Sequence, residues 1–193
     1  THRHIPPLLR NDSMKRLHSV ARATSALLPA VFLGLAAGET TAQNVVKDIR
    51  PPTTSVRSGN PSDFVDLNGV AIFTSNTDHG TELWRSDGLP SGTYLLKDIY
   101  PGSSSSTPQD LTVVGNKVFF TATLPETGRE LWVTDGTPQG TILVKDIRPG
   151  RVTGSITWMT SYGGFLFFVA NDAASGSEIW RSNGTPGGTG VFI

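Results

Sequence analysis

The amino-acid sequence predicts an all-β protein built from four-stranded antiparallel units on a 48-residue period. Three observations carry that expectation. Glu82-Leu83-Trp84, Glu130-Leu131-Trp132 and Glu178-Ile179-Trp180 stand 48 residues apart. Each is followed by a turn sequence, Asp87-Gly88-Leu89-Pro90, Asp135-Gly136-Thr137-Pro138 or Asn183-Gly184-Thr185-Pro186. Ahead of each lie two short apolar runs separated by a Gly/Asn pair, as tight hairpins require. A fixed period of this length means one supersecondary unit stacked on copies of itself.

Taken in order, residues 1–13 precede Met14 and read as upstream sequence outside the fold. Residues 14–42 read as a signal peptide. Lys15, Arg16 and Arg22 make a basic start, Ala26 to Ala37 an apolar stretch, and Ala42 a small residue before a cleavage point at Gln43. The apolar stretch is shorter than the roughly 18 residues a spanning helix needs, so no membrane span is expected after cleavage. Residues 43–62 hold a linker and a lone strand at 45–49, Lys47-Asp48-Ile49, which matches Lys97-Asp98-Ile99 and Lys145-Asp146-Ile147 in later copies.

The repeats follow at 63–109, 110–157 and 158–193. In the middle copy, Leu111–Val114 and Lys117–Ala122 flank the Gly115-Asn116 turn, and a loop leads into Arg129–Val133. The Asp135-to-Gly140 turn then returns the chain into Thr141–Ile147. The corresponding hairpin turns are Asn68-Gly69 and Gly163-Gly164. Neighbouring apolar residues such as Phe119-Phe120 and Ile142-Leu143-Val144 put hydrophobic groups on both faces of a strand. Sheets packed face to face bury both, which is the arrangement of β-propeller blades. On that basis Trp84, Trp132 and Trp180 are core between blades. Glu82, Glu130 and Glu178 are pairing or capping groups, and Asp98 and Asp146 bind a neighbouring loop or a repeated Lys.

The string Glu-Leu-Trp-x-x-Asp-Gly-Thr with a following Gly-Thr and Lys-Asp-Ile strand resembles the ELWxxDGT repeat family of exported bacterial proteins. Residues 130–137 match at every fixed position, 82–88 match until Leu89, and 178–185 match apart from Ile179 and Asn183. The resemblance covers about residues 45–193 and implies an exported, propeller-forming repeat protein at the cell surface or envelope. It brings no catalytic residue with it. Closed propellers typically carry about four to eight blades, so three copies predict an incomplete β-propeller. The third stops at Ile193, in line with Lys145 and inside its last strand. The sequence therefore reads as a fragment that needs further repeats, or as a chain that self-associates to close the ring.

Composition narrows function. The chain carries 16 basic and 16 acidic residues, and without residues 1–42 it is slightly acidic. That offers no footprint for nucleic acid. With no cysteine, disulfides and Cys-based zinc sites are excluded. His79 is the only histidine after the leader. No nucleophile elbow, phosphate loop or dinucleotide fingerprint occurs. No cofactor and no enzyme activity is expected. Antiparallel topology instead gathers the loops at 74–80, 123–128 and 171–176 with the connections 50–62, 100–109 and 148–157 on one rim. Asp78, His79, Glu126, Arg151, Trp158 and Asp172 stand there as candidate ligand contacts. Trp158 takes the place held by Asp63 and Asp110 and is assigned strand-edge packing ahead of ligand contact. The expected function is a secreted, non-catalytic module binding a protein or glycan. The alternatives are a structural segment of a larger surface protein and, third, a propeller enzyme such as a glycoside hydrolase using Asp78, Glu126 and Asp172.

Overall fold

A computed structural model of the chain describes residues 46, 47, 49 and 59–192, all within one compact unit, residues 44–193. The predicted upstream segment and signal peptide lie outside the described residues. Among the described residues twelve strands form three four-stranded antiparallel sheets in simple up-and-down order. The first is β1 (Ser62–Leu67), β2 (Val70–Thr77), β3 (Gly80–Ser86) and β4 (Tyr94–Lys97). The second is β5 (Gln109–Val114), β6 (Lys117–Leu124), β7 (Gly128–Thr134) and β8 (Ile142–Lys145). The third is β9 (Thr157–Tyr162), β10 (Phe165–Asn171), β11 (Ser177–Ser182) and β12 (Thr189–Val191). The hairpins fall where the Gly/Asn pairs stand. Asn68 and Gly69 both have positive φ, 54° and 86°, as do Gly163 and Gly164, 58° and 81°.

Register makes the copies equivalent. Phe73 pairs with Trp84, Phe120 with Trp132 and Phe168 with Trp180. Two interfaces join the three sheets, so the middle sheet buries both of its faces. Leu67, Ile72, Leu83, Leu96 and Ile99 of the first sheet meet Val118, Phe120, Ala122 and Trp132 of the second. The next interface repeats this position for position. Val114, Phe119, Leu131, Val144 and Ile147 meet Leu166, Phe168, Ala170 and Trp180. All three tryptophans are buried, and Trp132 and Trp180 lie in the two cores between sheets. Each indole Nε1 is buried without a hydrogen-bond partner among the described residues.

The rest of the motif builds turns and joints. In the second copy Asp135 Oδ1 accepts Thr137 N at 2.9 Å and Thr137 Oγ1 at 2.7 Å, while Thr137 Oγ1 accepts Gly140 N at 2.9 Å. Asn183 and Thr185 reproduce these bonds in the third copy. In the first copy Leu89 supplies only its backbone NH to Asp87, 2.9 Å, and the turn tightens into a 3-10 segment at Pro90–Gly92. A Cβ at Gly140 would collide with the Asp135 carboxylate, which is why the motif ends in glycine.

The motif glutamate ties each sheet to the connection leading out of it. Fully buried Glu82 accepts Ile99 N at 3.0 Å, Ser106 N at 2.7 Å and Ser106 Oγ at 2.6 Å. Glu130, equally buried, accepts Ile147 N at 3.0 Å, and Gly154 stands where Ser106 stood. Glu178 is exposed. The same connections pin the next sheet: Thr107 N donates to Thr81 O and Thr123 N to Ser106 O, at 3.1 and 2.9 Å.

Of the lone strand expected at 45–49, residues 45 and 48 lie outside the described residues, and Val46, Lys47 and Ile49 are not in strand conformation. They nevertheless do what the fourth strand of a preceding sheet would do. Lys47 Nζ donates to Thr93 O at 2.6 Å, as Lys145 Nζ donates to Thr189 O at 3.0 Å two interfaces along. Gly59 O accepts Asn76 N at 2.7 Å, as Gly154 O accepts Asn171 N at 2.8 Å.

Candidate ligand-binding site

The first strands of the three sheets run side by side, β1 against β5 and β5 against β9. Each begins with a bulge, where pairing to the second strand slips. The bulged residues are Asp63, Asp110 and Trp158, with φ of 54°, 60° and 56°. A left-handed φ on a non-glycine residue is strained, and its recurrence at one position of all three copies marks a feature of the fold. The bulges bring these side chains into one depression, lined by Asp63, Phe64, Val65, Asp110, Leu111, Thr112, Trp158 and Met159.

Hydrogen bonds hold the carboxylates by one oxygen each. Asp63 Oδ2 accepts Ser62 Oγ at 3.0 Å and Thr74 Oγ1 at 3.1 Å, and Asp110 Oδ2 accepts Thr121 Oγ1 at 3.3 Å. Arg129 stands behind Asp110 and donates to Thr121 Oγ1 and Thr107 O, both at 2.8 Å. Burial lowers the Arg129 guanidinium pKa and the Asp110 charge opposes that shift. Phe64 stacks on Phe73 with ring centroids 4.9 Å apart and remains 60% exposed. Trp158 is 84% exposed, which corrects the expectation that it packs at the strand edge. Its side chain lies open beside two carboxylates.

Of the six rim candidates, Trp158 alone lines this depression. His79 is engaged elsewhere, its Nδ1 3.1 Å from Asp98 Oδ2. Asp98 also accepts Gly102 N at 3.4 Å, so this repeated aspartate braces a loop. Asp172 closes its own turn, accepting Ser175 N at 2.7 Å and Ala174 N at 2.9 Å. The Ser175 amide chiefly holds its pKa below the ordinary carboxylate value. Glu126, Arg151 and Asp78 are exposed on separate loops. The depression also includes Asp63, Asp110 and Phe64, which the rim set did not contain. Their signal was in the sequence, since the repeat aligns both aspartates with Trp158. Among the described residues no three of His, Asp and Glu converge to hold a metal ion.

The strongly perturbed carboxyl lies in the joints, not in the depression. Burial raises the Glu130 pKa to about 7; the Ile147 amide opposes the shift and the Asp146 charge adds to it. Glu82 is raised in the same direction, again chiefly by burial. Both carboxylates are enclosed between sheet and connection. In comparisons with known protein families and with curated proteins, neither a family nor a protein matches this chain.

Proposed function

We propose that this chain is an exported, non-catalytic repeat module of the β-propeller type, similar to the ELWxxDGT proteins, that binds a glycan at the cell surface or matrix. The three sheets supply blades, and the joined ends of their first strands supply the site. The carrying observation is Trp158, an exposed indole at the one first-strand position where the other copies hold aspartate. An indole face beside carboxylates suits a sugar ring. The apolar C–H face of the ring lies on the aromatic surface, and carboxylate oxygens accept its hydroxyl protons. Support for a binding role over catalysis comes from the placement of the raised carboxyls, which are enclosed and used for structure.

The test is an array of neutral oligosaccharides probed with the chain and with Trp158→Ala. The parent binds a subset, and the variant loses that binding with its melting curve unchanged. Equal binding by the variant overturns the site. Binding to lysine-rich peptides with no sugar bound would assign the depression to cation recognition instead. A second reading, a structural segment of a larger surface protein, is favoured by a different observation, the exposed apolar face of the third sheet.

A further inference from the structure

The two interfaces between sheets use one set of positions, and the same set recurs a third time with no sheet against it among the described residues. Val114, Phe119, Leu131 and Val133 present the far face of the second sheet and are at most 6% exposed. The positions 48 residues on are Tyr162, Phe167, Ile179 and Arg181. Tyr162 is 75% exposed and Ile179 54%, and Phe192 beside them is 48% exposed. Phe167 packs edge-on against both Tyr162 and Phe192, at 6.1 and 5.2 Å between centroids, so the patch is a continuous aromatic face. Arg181 lies 4.6 Å over the Phe165 ring.

The opposite end of the stack offers the complement. In the near faces of the second and third sheets, Val118 and Phe120, then Leu166 and Phe168, are buried by the preceding sheet. The equivalent Ala71 and Phe73 of the first sheet instead line an apolar groove with Val46, Ile49 and Gly88. Val46, Lys47 and Ile49 already stand where a preceding fourth strand ends, with Lys47 on Thr93 O as Lys145 is on Thr189 O. Arg85 Nη1 donates to Gly136 O across the first interface at 3.0 Å, so Arg181 has a matching acceptor in Gly88 of a following first sheet.

We infer that the far face of the third sheet docks into the groove of the first sheet of a second copy, head to tail, remaking the interface the chain already contains twice. Such a contact joins two different surfaces and so propagates into rings or filaments rather than stopping at a two-fold dimer. It is independent of the glycan reading.

Sedimentation of the 193-residue chain over a rising concentration series tests this, with Ile179→Glu on the far face and Ala71→Glu in the groove. Ile179 is exposed and Ala71 partly exposed in the single chain, so melting curves should report both variants folded. The parent should grow in mass with concentration. Each substitution should weaken association at least about tenfold. An equimolar mixture of the two variants retains one intact face of each kind and should stop at a heterodimer. A parent that stays monomeric overturns the inference. So does association that survives both substitutions, as pairing through the apolar residues 26–37 or through strand edges would. Sensitivity to only one of the two would show a two-fold contact and equally overturn it.

Discussion

Replacing Glu130 by Gln should change how stability depends on pH more than it changes stability itself. The Glu130 carboxyl is fully buried, bonded to the Ile147 amide, and has Oε1 without a partner. Burial raises its pKa from 4.5 to about 7. The folded state then holds its proton between about pH 4.5 and 7 while the unfolded state has lost it. Folding therefore takes up a proton in that window, and stability falls as pH rises through it. Below pH 4.5 both states are protonated and the penalty vanishes; above pH 7 it is fully expressed. The shift corresponds to roughly 3 kcal/mol at most, by linkage at about 1.4 kcal/mol per pH unit. Glu130→Gln keeps the shape and removes this titration, so its urea midpoint should decline less than the parent's, the remaining slope coming from Glu82. Gly154→Ser supplies the hydroxyl that Ser106 gives Glu82. Its Cβ would come within 2.9 Å of the movable carboxylate end, so the added group should lower the Glu130 pKa and flatten the decline. Urea titrations at half-unit steps from pH 4.5 to 8 read all three proteins. Parallel profiles for the parent and Glu130→Gln would refute the assignment.

Trp132→Ala should cost roughly 3–5 kcal/mol, as truncation of a large buried aromatic does, and Trp132→Phe clearly less, because the indole NH makes no bond that would be lost. Thermal melts compare the two, and equal losses would contradict the packing. Leu89→Thr installs the side-chain bonds that Thr137 and Thr185 make and removes an exposed leucine, so it should stabilise the first turn by about 1 kcal/mol. A lower melting temperature would contradict that. Trp158→Ala should leave stability within about 0.5 kcal/mol of the parent while abolishing any glycan binding. It should also remove most acrylamide-quenchable fluorescence, since the other three tryptophans are buried.

The period, the strand order and the buried tryptophans were legible because each copy repeats its apolar spacing and turn chemistry. Where the sequence misled, the cause was long-range. Lys47 to Ile49 looks like a strand because its letters match strands β4 and β8. Those strands have a third strand of their own sheet beside them, whereas Val46, Lys47 and Ile49 line a groove on the first sheet. Trp158 looked like packing because aromatic residues in strands are usually buried. Its left-handed bulge, a backbone property that no residue type announces, turns it outward beside Asp63 and Asp110. The rim residues were chosen for their loops, yet His79 and Asp172 spend their polar atoms on Asp98 and on their own turn. The difference between Glu82 and Glu130 depends on which residue stands 24 positions further on, Ser106 or Gly154.

One interface, made twice, couples three otherwise separate sheets. Amide hydrogen exchange at low protein concentration tests this most directly, because protection follows the free energy of local opening. Strands β6 and β7 of the middle sheet, covered on both faces, should exchange slowest. Strands β10 and β11, with their far face open, should exchange fastest of the equivalent pairs. Ile179→Glu should leave that order unchanged, and Trp132→Ala should bring β2 and β3 to the rate of β10 and β11. Three sheets exchanging at independent rates, with Trp132→Ala felt only in its own sheet, would contradict the shared interface.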